Sequence, residues 1–175
     1  AAGLYREAVQ RGDLVGAVVL VARNGRVVLH EAIGSRHHEA GLPMEKNTLF
    51  RMASNTKPVI ATALAMLVEG GKLSYEDPVR KHIPSFDNYR SGFIQVRHLL
   101  SHTSGLPDVT DYGWHDPQLG DDALSELARS LLGWRLQAEP GSTFSYSNAG
   151  YELLGLLLSQ VTGTTFEDAV KQLVL

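Results

Sequence analysis

Ser54 and Lys57 lie three positions apart in the stretch FRMASNTKPV and carry a hydroxyl and an amine that could act together in acyl transfer. Helical spacing places the two side chains on one face, where the lysine can serve as a proton partner of the serine. We also expect Ser54 at the N-cap of the following helix, where free backbone N–H groups favour developing negative charge. On the spacing alone, however, a serine that only caps a helix is the simpler interpretation.

A second reactive pattern is the triplet Tyr146-Ser147-Asn148, which follows a Pro-Gly turn and precedes a new helix. In an extended segment, residues two apart face the same way, so the phenol and the amide should point together. A phenol beside a lysine ammonium can take a proton from a serine, while an amide can bind a substrate carbonyl. The alternative is purely structural: Tyr146 is a core aromatic, and Asn148 is the N-cap of the helix that begins at Ala149.

The composition narrows the classes of function. The chain has 175 residues, of which 43% are hydrophobic, and this suits one globular domain with a core. Its 16 basic and 19 acidic residues give a formal net charge of -3 without a basic stripe, so nucleic acid is not an expected partner. The longest apolar run, residues 14–22, is far shorter than the roughly 20 residues that span a bilayer, and we expect no membrane span.

The compartment stays open on sequence grounds. The chain contains no cysteine, which excludes disulfides, a thiolate nucleophile and a cysteine-based zinc site but fits either cytoplasm or periplasm. It opens without the charged and apolar regions of a signal peptide.

The hydrophobic pattern predicts a hairpin followed by helices. Strands at 15–23 and 26–33 should meet in a type I′ turn at Asn24-Gly25, and residues 35–47 should form a loop. Helices are expected at 4–11, from about 59 to 69, and near 95–101, 121–132, 149–161 and 166–173. This block order predicts an α+β fold. Because an isolated hairpin is only marginally stable, further strands should exist.

Three other features of the sequence allow competing interpretations. His98 and His102 are four apart, as in metal-binding helices, but leucines occupy the positions of a metallohydrolase glutamate, so no metal site is expected. His37-His38-Glu39 lies in a polar segment and is best explained as an exposed turn. The segment DYGWHDP, residues 111–117, could line an apolar acyl pocket or simply pack as a loop.

Together these motifs resemble the serine β-lactamase and penicillin-binding protein superfamily, most closely its class C β-lactamase, DD-peptidase and esterase branch. The resemblance covers almost the whole chain and is carried by residues 16–34, 48–84, 95–107 and 139–170. It implies a β-lactamase-like α+β fold, with an antiparallel sheet flanked by helices plus a helical subdomain. Residues 1–175 would form one incomplete domain, with a helix-and-hairpin part at 1–53 and a mostly helical part at 54–175.

The resemblance also implies roles for four residues. Ser54 would be the acylated nucleophile, with its backbone N–H as half of the oxyanion hole, and Lys57 its proton partner. Tyr146 would be the other general base, and Asn148 a substrate-positioning amide. The implied activity is hydrolysis of an ester, amide or β-lactam carbonyl in a small-molecule acyl substrate, without metal or organic cofactor. The alternative is a homologue that is non-catalytic or only becomes acylated, as a sensor or scaffold.

One part of the family pattern is absent: a Lys or His, then a small residue and Gly, on a strand that follows the tyrosine motif. Two segments could be mistaken for this element, and neither fits. The HTSG segment at 102–105 precedes the tyrosine motif, and its Ser-Gly is typical of a helix end, while the VTG segment at 161–163 has no Lys or His. Gly163 is instead expected to cap the preceding helix. We therefore expect a truncated domain, which either a missing C-terminal segment or a second chain completes.

Overall fold

The computed structural model describes residues 2–87, 91–108 and 123–175. They fall into two compact units, Ala1–Met52 and Ala53–Leu175, each taken by itself below. Within these described ranges, no helix combines the length and apolar character needed to cross a membrane. The predicted pocket segment 111–117 lies outside the described residues, and the assignment of the chain to one incomplete domain stays a prediction.

The first unit is built on the predicted hairpin. Helix α1 (Ala2–Gln10) precedes strands β1 (Gly16–Arg23) and β2 (Arg26–His37), which pair antiparallel. Asn24 and Gly25 have φ of 50° and 72°, as a type I′ turn requires, so the predicted turn is confirmed. The backbone twist of that turn matches the twist of the strands on either side of it.

The predicted loop at 35–47 is partly wrong, because β2 continues to His37 and pairs with a short strand β3 (Leu42–Pro43). The sheet of the first unit therefore has the order β1-β2-β3. Gly34, at φ 76°, lies where β2 exchanges its pairing with β1 for pairing with β3. A Cβ there would approach the carbonyl oxygen of Val15 to 2.4 Å, so only glycine fits.

The second unit is helical in the described ranges. Its helices are α2 (Thr56–Glu69), α3 (Val79–His82), α4 (Val96–Leu100), α5 (Ala123–Leu131), α6 (Asn148–Thr162) and α7 (Phe166–Leu173). All but the short α3 match predicted helices, and the α+β class is confirmed. Thr165 caps α7 by accepting a hydrogen bond from the Asp168 backbone. Gly163 ends α6 in the left-handed conformation, which confirms its predicted role as a cap.

Helix α6 is the centre of the core of this unit. Leu153, Leu154, Leu157 and Leu158 are each 0–1% exposed, because apolar side chains surround the helix and other helices contact it on several sides. Helices α2, α4, α5 and α7 all pack against it. This packing holds the beginning of α2 near the beginning of α6, and those two helix starts carry the residues of the candidate site.

A carboxylate fixes the turn between α2 and α3. Asp77 accepts hydrogen bonds from Lys81 at 2.7 Å, His82 at 2.8 Å and the backbone N–H of Ser74 at 3.0 Å. Burial by itself raises the pKa of Asp77, but the bonds from Lys81, His82 and Ser74 outweigh it and lower the pKa to about 2. The ionised form is thus the one that the fold stabilises.

Candidate active site

Ser54 lies in a tight 3-10 turn, Ala53–Asn55, immediately before α2. The prediction that Ser54 is the N-cap is wrong, since Asn55 takes that position without a side-chain capping bond. The hydroxyl of Ser54 is bonded to side chains from elsewhere in the unit and is therefore not used on the helix end. Ala53 has φ 46°, a left-handed conformation that costs a non-glycine residue on the order of 1 kcal/mol.

The four predicted site residues come together. Ser54 Oγ is 2.9 Å from the Tyr146 hydroxyl and 3.3 Å from Lys57 Nζ, which donates to it. Lys57 Nζ also donates to Asn148 Oδ1 at 2.8 Å and lies 4.8 Å from the centre of the Tyr146 ring. A hydroxyl, an ammonium, a phenol and an amide thus form one connected network.

The triplet that carries Tyr146 and Asn148 is held by its middle residue. Ser147 is extended (φ -140°, ψ 120°) and is the N-cap of α6, with its Oγ accepting from the Gly150 backbone at 3.2 Å. The extended conformation lets Tyr146 and Asn148 face the same way, as predicted. The structural alternative is wrong in both parts, because Ser147 is the cap and Tyr146 is 40% exposed.

Asp108 was not anticipated from the sequence. Its Oδ1 accepts from both the backbone N–H of Asn148 at 3.0 Å and the side-chain Nδ2 at 3.2 Å. With Nδ2 bound there, the amide presents Oδ1 to Lys57. The carboxylate lies 40 residues before its partner and shows no diagnostic spacing, so only the folded chain reveals it.

His102 is a second unanticipated neighbour. Its Nδ1 accepts from the backbone N–H of Ser147 at 3.1 Å, and its ring stacks on Tyr146 with centroids 4.5 Å apart. Burial lowers the pKa of His102, and the positive charge of Lys57 lowers it further. The sequence carries no signal for this contact, because His102 and Ser147 lie 45 residues apart without a diagnostic spacing.

Neighbouring groups make Tyr146 more acidic than an ordinary tyrosine. The hydrogen bond with Lys57, followed by the one with Ser54, lowers the pKa of Tyr146 below its ordinary value. By contrast, burial raises the pKa of the neighbouring Tyr151, whose hydroxyl donates to the Leu100 carbonyl at 3.1 Å. Of the two phenols, Tyr146 is therefore the one suited to accept a proton.

Glu152 lies one helical turn after Asn148 on α6. Burial raises the pKa of Glu152 to about 7, although the positive charge of Lys57 opposes that rise. Its Oε2 is buried and finds no hydrogen-bond partner in the described ranges. The protonated acid is thus favoured in an environment where a carboxylate would be poorly stabilised.

The two histidines that lie four positions apart each accept a hydrogen bond from a backbone N–H. His98 Nδ1 accepts from the Gln95 backbone at 3.1 Å, at the start of α4, and His102 Nδ1 from Ser147. Among residues 2–87, 91–108 and 123–175, no three metal-binding side chains lie close enough together to hold an ion.

This arrangement suits acyl transfer. A serine hydroxyl in contact with a phenol of lowered pKa and with an ammonium can lose its proton as it attacks a carbonyl carbon. Ser54 and Tyr146 are both exposed, so a carbonyl substrate can reach them.

Comparison with known proteins places the chain in a family. The sequence profile of the β-lactamase family matches residues 1–175. Esterase EstB of Burkholderia gladioli is 37% identical over 185 residues, covering 98% of this chain and 47% of the esterase. The chain is also similar to two solved structures: EstCE1, a hydrolase with promiscuous acyltransferase activity, and the D-amino acid amidase of Ochrobactrum anthropi SV3.

The structural matches extend over the whole described fold. EstCE1 is 35% identical with a TM-score of 0.84, covering 99% of this chain and 49% of EstCE1. The amidase is 30% identical with a TM-score of 0.81, covering 98% of this chain and 47% of the amidase. The chain thus spans about a third to a half of the length of the relatives that it matches. It has the β-lactamase-like fold and belongs to the β-lactamase family.

Proposed function

We propose that this protein is a serine hydrolase that acts through a covalent acyl-enzyme on an ester, amide or β-lactam carbonyl of a small molecule. The observation that carries the proposal is the contact of Ser54 Oγ with the Tyr146 hydroxyl at 2.9 Å and with Lys57 Nζ at 3.3 Å. The family membership and the esterase and amidase among the similar proteins support the same reaction class.

In the proposed acylation, Tyr146 as phenolate accepts the proton of Ser54, and the Oγ electron pair forms a bond to the carbonyl carbon. The carbonyl π electrons move onto oxygen, and the backbone N–H of Ser54 donates to that oxyanion. When the C=O bond re-forms, the bond to the leaving oxygen or nitrogen breaks with its electron pair. The leaving group then takes the proton held by Tyr146.

In the proposed deacylation, a water oxygen is the attacking atom and Ser54 Oγ is the leaving atom. A water molecule gives its proton to Tyr146 and attacks the acyl carbon, and the tetrahedral adduct breaks its bond to Ser54 Oγ. The serine regains the proton from Tyr146, and a carboxylic acid is released. Each step conserves its protons and electron pairs without an oxidant or reductant.

Lys57 and Asn148 have supporting roles in this scheme. The Lys57 ammonium stabilises the phenolate of Tyr146 and the charge that develops at Ser54. Asn148, held by Asp108, positions the lysine through its Oδ1. Its amide can also bind a polar group of the acyl part of the substrate.

The test uses the full-length protein and a fluorophosphonate probe, with detection by intact mass. We expect one adduct on the wild type and on Ser85→Ala, an exposed serine outside the network, and none on Ser54→Ala. An unlabelled wild type, or an adduct that survives Ser54→Ala, overturns the proposal.

Turnover is then measured with three acyl compounds: a p-nitrophenyl ester, a D-amino acid p-nitroanilide and a chromogenic cephalosporin. The proposed hydrolase turns over at least one of them many times per active site. A single stoichiometric burst with all three would instead identify an acylation-only homologue. No burst and no turnover would identify a scaffold.

A further inference from the structure

We propose that His102 is a positioning residue for the acylation step, which it supports only in its neutral form by accepting a hydrogen bond from the tyrosine motif. The inference rests on the proposed function, because it concerns the geometry of that same site. Three contacts of His102 with residues 145–147 carry it.

The first two contacts fix the backbone of the motif. The carbonyl oxygen of His102 accepts from the N–H of Ser145 at 2.8 Å, and the ring Nδ1 accepts from the N–H of Ser147 at 3.1 Å. Ser147 is 1% exposed, so its N–H has little access to water as an alternative partner. One residue thus holds the chain on both sides of Tyr146.

The third contact fixes the side chain of the proposed base. The His102 ring stacks on the Tyr146 ring at 4.5 Å with an interplanar angle of 27°, and it lies edge-on to Phe144 at 5.8 Å. The phenol hydroxyl is therefore aimed at Ser54 by a ring whose own orientation is set by the bond to Ser147. Loss of that bond would release the ring and the backbone together.

The protonation state of the imidazole decides whether the bond exists. In the neutral ring that accepts at Nδ1, the proton is on Nε2, whereas the imidazolium carries protons on both nitrogens and cannot accept. The groups that face the ring are Lys57 of α2, Asp108, Tyr146, and Tyr151 of α6. Burial, and after it the positive charge of Lys57, lower the pKa of His102 and outweigh the opposite effect of Asp108, so protonation of the ring is disfavoured.

The backbone of His102 guides the choice of test variants. His102 has φ 56°, a conformation in which asparagine is well tolerated. His102→Asn can present an oxygen near the Nδ1 position and does not titrate, whereas His102→Phe keeps an aromatic ring without an acceptor. His98→Asn is the matched control, because His98 also accepts a backbone N–H at Nδ1 but has no contact with the four site residues in the described ranges.

The experiment measures kcat/KM for a p-nitrophenyl ester from pH 4.5 to 8.5 in the full-length protein, with melting temperatures to verify folding. At pH 8, we expect the kcat/KM of His102→Asn to remain within about fivefold of the wild-type value. The kcat/KM of His102→Phe should fall about 10- to 100-fold, mainly through kcat, as when a catalytic group is misplaced. Below the pKa of His102, a plot of log kcat/KM against pH should be about one unit steeper for wild type and His98→Asn than for His102→Asn. The reason is that protonation of His102 inactivates the first two proteins, whereas His102→Asn has no group there to protonate.

Equal slopes in wild type and His102→Asn overturn the inference while leaving the proposed hydrolase intact. The same holds if a folded His102→Phe retains wild-type kcat at pH 8. If the wild type hydrolyses no ester and takes no fluorophosphonate label, the proposed function fails, and the inference fails with it.

Discussion

Lys57→Met removes the ammonium at the centre of the site while keeping an unbranched side chain of similar length. It deletes a 2.8 Å bond to Asn148 and a 3.3 Å bond to Ser54, together with the largest cause of the lowered pKa of Tyr146. The phenol should then titrate closer to its ordinary range, so less of the reactive phenolate is present at neutral pH.

The size of the effect follows from those losses. Removal of one group that stabilises charge in the transition state typically costs about 100- to 1,000-fold in rate, which is about 3 to 4 kcal/mol of transition-state stabilisation. We expect the acylation rate of Lys57→Met to fall by that amount. The free energy of unfolding should change by less than about 1 kcal/mol, because relief of the partly buried charge offsets the lost hydrogen bonds.

The assay follows the burst of p-nitrophenol by stopped flow, with a thermal melt of each variant. Lys72→Met, an exposed lysine beyond the end of α2, is the matched control and should acylate like wild type. If Lys57→Met acylates within about threefold of wild type, the role of Lys57 in stabilising the phenolate of Tyr146 and the charge at Ser54 is refuted, since such a group contributes far more.

Three further predictions concern the base and two carboxyl groups. Tyr146→Phe, which keeps the ring and loses the hydroxyl, should lower the acylation rate about 100- to 10,000-fold at pH 7 in the same burst assay; a rate near wild type would exclude the phenol as base. Asp77→Asn should lower the free energy of unfolding by about 1 to 2 kcal/mol at pH 7 in urea titrations, whereas the exposed Asp13→Asn should change it by less than about 0.5 kcal/mol. The folded pKa of about 2 lies below the ordinary 3.8, so this stability is present above pH 4 and is lost as the pH falls toward 2; equal losses in both variants would contradict it. Glu152→Gln should stabilise the protein by about 1 to 2 kcal/mol at pH 8 but not at pH 4, a range that allows for partial solvent access. The folded pKa of about 7 exceeds the ordinary 4.5, so wild-type stability falls as the pH rises between them; a Glu152→Gln variant that is no more stable than wild type at pH 8 would contradict this.

Local patterns accounted for much of the fold. The hairpin was predictable because Asn24-Gly25 tolerates positive φ at both positions, a property of two adjacent residues. The longer helices were predictable from their periodicity. Strand β3 was not, since two residues form a strand only through pairing with the end of β2.

The residues of the candidate site were likewise predictable only where a local pattern marks them. Ser54 with Lys57, and Tyr146 with Asn148, were found because each pair has a short, recognisable spacing, although their roles remain predictions. The N-cap prediction for Ser54 failed because its hydroxyl is bonded across 92 residues to Tyr146, a contact that outweighs a local preference. His102 meets its partner Ser147 across 45 residues, a tertiary contact with no local pattern.

The central claim is that Ser54 becomes acylated by a substrate, and peptide mapping tests it most directly. The full-length protein is mixed with a p-nitrophenyl ester, quenched in acid during the burst and digested with trypsin. Cleavage after Arg51 and Lys72, with the Lys57-Pro58 bond resistant, gives a peptide of residues 52–72 in which Ser54 is the one serine. Fragment ions that place the acyl mass on Ser54, together with its absence in Ser54→Ala, are the predicted result. An acyl group on any other residue, or an unmodified 52–72 peptide while ester is being consumed, would contradict the account.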